Sequence, residues 1–279
     1  MIRLAVRCAP ELAERVLAEL IELVPGGVEE DRGAGYVEYA IYGPPGELPS
    51  LPDLRAATGD GLVEIETTEI PDDWADRWRD FHEPVVAGGG RIVVRPSWEA
   101  EAPSVAGAEI DIVIDPGQAF GTGAHATTRS CLELLLELAD RGEARGPLAD
   151  WGTGSAVLAI AAAKLGWAPV VAVDHERAAV AAARENAERN GAAITVERLN
   201  LRDQPPPEAP TVVANLLTPL LADLAARIAD AAIAAPTTLV LSGLLAGEAD
   251  RVADAFAAAG FSRESTVVAG EWAALLLRR

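Results

Sequence analysis

With 279 residues, half of them apolar, the chain is long enough for two domains and can bury sizeable cores. No window reaches the roughly 18 uninterrupted apolar residues of a membrane span. Forty-three acidic against 23 basic side chains give a net charge of −20, which argues against a general duplex-binding surface and suits a basic partner. The plainer alternative is an acidic coat that only keeps the protein soluble. Cys8 and Cys131 lie far apart and suggest neither a disulfide framework nor a metal site. No signal-peptide pattern opens the chain, so a cytoplasmic protein is expected.

The first 70 residues read as a small α/β unit. "IRLAVRC" alternates like a strand, and "PELAERVLAELIELV" carries apolar residues at helical spacing. Pro10 sits where a first helical turn tolerates it, and the "PGG" at 25–27 stops the helix. "GVEEDRG" and "GYVEYAIYG" predict a hairpin across Gly33–Gly35, "LPDLRAAT" a short helix and "LVEIETTEI" a last strand. The order βαββαβ predicts a ferredoxin-like sandwich. Residues 1–69 hold 5 Arg against 14 Asp or Glu, so nearly half of the net negative charge lies in a quarter of the chain.

Residues 71–90 read as a linker whose helix, within "PDDWADRWRDFHEPV", sets Trp74, Trp78 and Phe81 on one face. That spacing suits packing better than a binding stripe. "GGGRIVVRPSW" and "AEIDIVIDPG" predict two strands joined by an acidic loop. From residue 147 strands and helices alternate regularly. The strands are "PLADWG", "PVVAVD", "AITVERLN", "PTVVANL" and "TTLVLSG", and "TVVAGEWAALLLRR" closes the chain as a hairpin. Helices are expected near 155–166, 176–190, 217–233 and 246–259. This alternation over 91–279 predicts a doubly wound, mostly parallel sheet with its ligand site at the carboxyl ends of the strands.

Two glycine-rich stretches carry the chemistry. "LADWGTGSAVLAIAAAKLG" runs from a buried strand ending at Asp150 into a helix, and Gly152 and Gly154 would let backbone approach a ligand. The sixth position of a dinucleotide fingerprint is Val157 here, and no lysine follows as in a phosphate loop. The next strand ends in Asp174, 22 residues after Gly152, where a carboxylate can accept from both hydroxyls of a ribose. A ligand with a ribose and no pyrophosphate fits, and S-adenosyl-L-methionine is such a ligand. The alternative role for Asp174 is to cap the helix beginning "HERAAV". Asn215 ends the fourth strand and adds an amide, two donors and an acceptor, to the same crevice.

The stretches "DPGQAFGTGAHATT", "DWGTGSAVLAIAAAKLG", "ARENAERNG", "VVANLL", "LSGLLAGEAD" and the terminal "EW" resemble the PrmA ribosomal protein methyltransferases. The resemblance runs from about residue 72 to the C-terminus, in the same order. It implies a class I (Rossmann-like) S-adenosyl-L-methionine methyltransferase domain with a seven-stranded sheet. By that likeness Thr128, Gly152, Asp174 and Asn215 fall on the family's cofactor-contacting positions. Phe120 and Gly121 would then belong to a lid that folds over the cofactor, with Thr128 beside them, while His125 falls on the family's histidine. Asn200, at the end of the third strand, is a further candidate for the adenine edge. Where the family usually has "GCGSG" this chain has "GTGSA", so Thr153 and Ala156 replace Cys and Gly.

The expected reaction is transfer of the cofactor's methyl to lysine or N-terminal amino groups of a basic large-subunit ribosomal protein. Asn215 would orient the amine, the acidic domain at 1–70 would recognise the substrate, and the enzyme would act as a monomer without binding nucleic acid. Two rivals are a methyltransferase of another protein or a small molecule on the same scaffold, and a non-catalytic module with a decayed site.

Overall fold

The computed structural model describes residues 2–13, 16, 20, 29–33, 35–43, 62–69, 84–99, 107–115 and 125–279. The chain divides into two compact units, 1–81 and 82–279. In the first, β1 (Ile2–Cys8), β2 (Glu29–Gly33), β3 (Tyr36–Gly43) and β4 (Leu62–Glu69) pair antiparallel in the order β2-β3-β1-β4. That is the strand order of a βαββαβ sandwich. Leu4, Val6 and Cys8 alternate onto one face with Val37, Tyr39 and Ile41, and helical Ala13, Val16 and Leu20 pack against them. Tyr39 Oη, carried into this core, donates to the carbonyl of Ala13 at 3.0 Å. Arg7 and Glu38 join in an ion pair at 2.6 Å. The helices expected over "LPDLRAAT" and 72–82 lie outside the described residues.

The second unit opens with a small sheet in which β5 (Val85–Ala87) lies antiparallel to β6 (Ile92–Arg95), and β6 parallel to β7 (Ile110–Val113). There follow α1 (Ala126–Asp140), β8 (Leu148–Trp151), α2 (Val157–Leu165), β9 (Val170–Asp174), α3 (Arg177–Arg189) and β10 (Ile194–Arg198). The chain continues through β11 (Thr211–Asn215), α4 (Thr218–Ala229), β12 (Thr238–Leu245), α5 (Ala249–Ala258), β13 (Ser262–Ala269) and β14 (Trp272–Arg278). β8 to β14 form one seven-stranded sheet in the order β10-β9-β8-β11-β12-β14-β13. Pairing is parallel from β10 to β12, and β14 runs antiparallel between β12 and β13.

β8 shows why its four residues are all buried: Leu148 joins the core under α1 and α2, while Ala149 and Trp151 join the core under α4 and α5. Period-two alternation in a strand covered on both faces makes every residue a core residue. The C-terminal hairpin turns at Gly270 and Glu271, as its sequence predicts. One element departs from expectation. Thr128, expected beside Phe120 and Gly121 in the lid, lies in the first turn of α1, a 15-residue helix not among the expected elements. Among the described residues no helix is long and apolar enough to cross a membrane.

The "ARENAERNG" stretch is a tie between layers. Asn190 Nδ2 donates to the Val113 carbonyl at 2.7 Å while its Oδ1 accepts from Val113 N at 2.8 Å, so a side-chain amide stands in for a neighbouring strand. Asn186 Nδ2 donates to the Ser155 carbonyl at 3.0 Å and secures the turn that follows β8.

Candidate active site

The chain enters the parallel sheet at β8, winds out to β10, and returns to pair β11 on the other side of β8. This reversal leaves a crevice at the carboxyl ends of β8, β9 and β11, the place where doubly wound sheets bind ligands. Asp150, Asp174 and Asn215 stand at or beside those three strand ends.

The turn after β8 is built from backbone. Gly152 adopts φ 79°, and the N–H groups of Gly152 and Thr153 both donate to the Val173 carbonyl at 2.9 Å, strapping the turn to β9. A Cβ on Gly152 would come within 2.3 Å of the Leu216 side chain. The Gly154 N–H donates to Asp174 Oδ2 at 2.9 Å. Ala156, fully buried, takes a left-handed φ of 68° just before α2. Such a conformation costs an alanine about 1–2 kcal/mol that a glycine avoids.

Two carboxylates flank this turn and differ sharply. Asp174 accepts from Gly154 N through Oδ2 and from Glu176 N through Oδ1 at 3.0 Å. A carboxylate can accept about four hydrogen bonds, so capacity remains for a diol. Glu176, not Asp174, occupies the N-cap of α3, and the Asp174 bond to it closes a local turn. Asp150 is almost fully buried, and burial pushes its carboxyl up to about 7, against the lowering effect of the Thr153 hydroxyl bond and a backbone bond at Ala159. Thr153 Oγ1 donates to Asp150 Oδ2 at 2.6 Å, whereas Oδ1 is buried with no hydrogen-bond partner among the described residues.

The wall opposite is built from side chains. Asn215 Nδ2 lies 3.2 Å from Thr127 Oγ1 and 3.4 Å from Thr128 Oγ1, both threonines being buried in the first turn of α1. His125 is the N-cap of that helix: its Nδ1 accepts from Thr127 N at 3.4 Å and sits 2.7 Å from Thr127 Oγ1. Partial burial, and then the charge of Arg129, hold the imidazole below its ordinary pKa. Trp272, the tryptophan of the terminal "EW", meets the His125 ring edge-on, with centroids 4.7 Å apart. Gly243 lets the strand after Asn215 pass close. Its φ is 84°, and a Cβ there would lie 2.4 Å from the Leu216 carbonyl oxygen.

Of the residues singled out by sequence, Gly152, Gly154 and Asp174 come together at the glycine turn, and Thr128 and Asn215 at the α1 end. Phe120 and Gly121 lie outside the described residues. Asn200 spends its side chain in a local turn, bonding Asp203 and Arg202. Asp150, Thr127 and Gly243 were not singled out. The doubled threonine signals the second, and the glycine within a buried strand the third, but neither spacing reveals its partner.

Residues 53–279 match the family model described as ribosomal protein L11 methyltransferase (PrmA). A ribosomal protein L11 methyltransferase of Pelotomaculum thermopropionicum is 36% identical over 99% of this chain and 98% of its own length. That of Geobacter metallireducens is 40% identical over 75% of this chain and 67% of its own length. The crystal structure of ribosomal protein L11 methylase from Lactobacillus delbrueckii subsp. bulgaricus superposes with a TM-score of 0.60 at 31% identity, covering 71% of this chain and 99% of that one.

Proposed function

The chain belongs to the PrmA family of ribosomal protein L11 methyltransferases, and from that premise we propose that it methylates lysine and N-terminal amino groups of L11 with S-adenosyl-L-methionine. The observation that carries the reading is the convergence of a backbone-lined turn, the Asp174 carboxylate and the Asn215 amide at one switch-point crevice. The residues present fit the cofactor. Asp174 keeps acceptor capacity for a ribose diol, the Gly152–Gly154 turn offers close backbone, and Asp150 Oδ1, buried without a hydrogen-bond partner among the described residues, marks a polar site. Thr128 and Asn215 complete the set among the described residues, and Phe120 and Gly121 join it on the family resemblance alone.

Bound there, the cofactor supplies a sulfonium methyl for in-line displacement by an amine. A free lysine has a pKa of about 10.4, so the amine must reach the site neutral. Desolvation in the crevice favours the neutral form. Asn215 Oδ1 accepts one amine N–H and aims the nitrogen lone pair, while positioning within about 3–3.5 Å supplies the rest of the rate. The acidic unit at 1–70 recognises the basic substrate, and the enzyme acts as a cytoplasmic monomer that does not bind nucleic acid directly. Removing residues 1–69 is expected to spare cofactor binding and abolish protein methylation; retained methylation would refute that assignment. Intact-mass analysis of L11 incubated with enzyme and cofactor tests the reaction itself. Stepwise gain of methyl groups supports it, and an unmodified L11 beside a cofactor-binding enzyme overturns it.

A further inference from the structure

We propose that Thr127 is a positioning residue for methyl transfer: its hydroxyl, fixed by His125, holds the Asn215 amide so that its oxygen is presented to the amine. The proposal rests on the role given to Asn215 above. It stands on the hydrogen bonds between two segments distant in sequence, 125–128 and 215, and on a ring contact from a third at Trp272.

The proposal takes His125 in the Nε2–H tautomer, whose Nδ1 is an acceptor, in keeping with the 3.4 Å approach of the Thr127 backbone N–H to that atom. In that tautomer Thr127 Oγ–H, 2.7 Å away, donates to Nδ1. With its proton committed, the hydroxyl oxygen can only accept, and the group within reach is Asn215 Nδ2 at 3.2 Å. Thr128 Oγ1 accepts the second N–H of the same amide at 3.4 Å. Both donors of the amide face the helix, and the unspent group is Oδ1, an acceptor. Edge-on contact with Trp272 at 4.7 Å keeps the ring of His125 in place.

The device answers a specific weakness of asparagine. Its terminal torsion is broad and roughly two-fold, so an amide held on one side by shape alone can flip. A flipped amide would offer N–H groups to an amine that must keep its lone pair free. A hydroxyl with its own proton spent on histidine selects one orientation; a methyl group of the same size selects none. The threonine is buried at 1% exposure, so water does not substitute for it.

The test compares Thr127→Val with Thr127→Ser in the full-length enzyme, using L11 and S-adenosyl-L-methionine. Thr127→Val should lower kcat about 10-fold or more, the worth of one hydrogen bond made in the transition state. KM for L11 and calorimetric affinity for cofactor should stay within about 3-fold, a change too small to account for that loss. Thr127→Ser should recover most of kcat. In the cofactor-free protein, the Asn215 side-chain amide signals should be sharp in the parent and in Thr127→Ser, and broadened by exchange in Thr127→Val. Unchanged kcat in Thr127→Val, or loss that serine does not rescue, overturns the proposal. Should Thr127→Val not fold, Thr127→Cys serves instead: a kcat loss with sharp-to-broad amide signals supports the relay, and parental values refute it. Asn215→Ala separates the two claims. If it leaves turnover intact, the role of Asn215 fails; if it abolishes turnover while Thr127→Val does not, only the relay fails.

Discussion

The turn after β8 and the loop after β11 line the same crevice and are made in opposite ways. The first is backbone: Gly152 and Thr153 N–H bind one carbonyl, and Gly154 N–H binds Asp174. The second is a set of side chains, Asn215 against Thr127, Thr128 and His125. The donors of a backbone wall do not depend on side-chain identity. Those of a side-chain relay do, since each member fixes the polarity of the next. In the proposed reading the first wall seats the cofactor, while the second, which touches the cofactor through Thr128 and Asn215, chiefly aims the nucleophile.

The largest effect that could break this contrast is expected at Gly243. An alanine there keeps a positive φ of 84° and sets its Cβ 2.4 Å from the Leu216 carbonyl. Gly243→Ala should destabilise by about 3 kcal/mol or more, combining left-handed strain with forced displacement of backbone. Urea denaturation checks it, and a stable variant with intact turnover would mean that the loop after β11 need not lie where Asn215 requires.

A pH-dependent effect follows from Asp150. Its folded pKa is raised to about 7 by burial, so the folded state binds its proton more tightly than the unfolded chain does. Stability from this group is therefore full below about pH 4 and falls as pH rises toward about 7, by up to about 1.4 kcal/mol per pH unit. Asp150→Asn cannot titrate, so its stability should gain on the parent across that window and run parallel above it. Denaturation midpoints at a series of pH values measure this, and parallel curves throughout would show that Asp150 is ionised in the fold.

The smallest effect sharpens the tolerance of the glycine turn. At Ala156 glycine relieves about 1–2 kcal/mol of left-handed strain, but loses a buried methyl of about 0.8 kcal/mol and gains unfolded-state entropy of about 0.4–1 kcal/mol. Ala156→Gly should stay within about 1 kcal/mol of the parent, with cofactor affinity unchanged; a drop in affinity would give Ala156 a role beyond the fold.

The same contrast explains what the sequence made legible. The parallel sheet was readable because "VVAVD" and "TVVAN" are short apolar runs ending in polar residues, the signature of strands buried on both faces. The glycine turn and Asp174 were readable because a backbone site leaves its mark in closely spaced glycines at the end of a strand. α1 was not anticipated, since its N-cap is His125 rather than Ser, Thr, Asp or Asn, and two β-branched threonines open it. The relay was illegible for a different reason. Residues 125–128, 215 and 272 are brought together only by the sheet order, and nothing in each segment names the others.

The central claim, that one wall seats the cofactor and the other aims the amine, is tested by Asp174→Ala and Asn215→Ala side by side. Calorimetry with S-adenosyl-L-methionine and single-turnover methylation of L11 are measured on both. Asp174→Ala should lose cofactor affinity by about 100-fold, as two charge-assisted hydrogen bonds would. Asn215→Ala should keep affinity within about 10-fold and lose about 100-fold in the rate of transfer at saturating cofactor. Equal loss of affinity in both variants with an unchanged transfer rate for Asn215→Ala would contradict the division of the site.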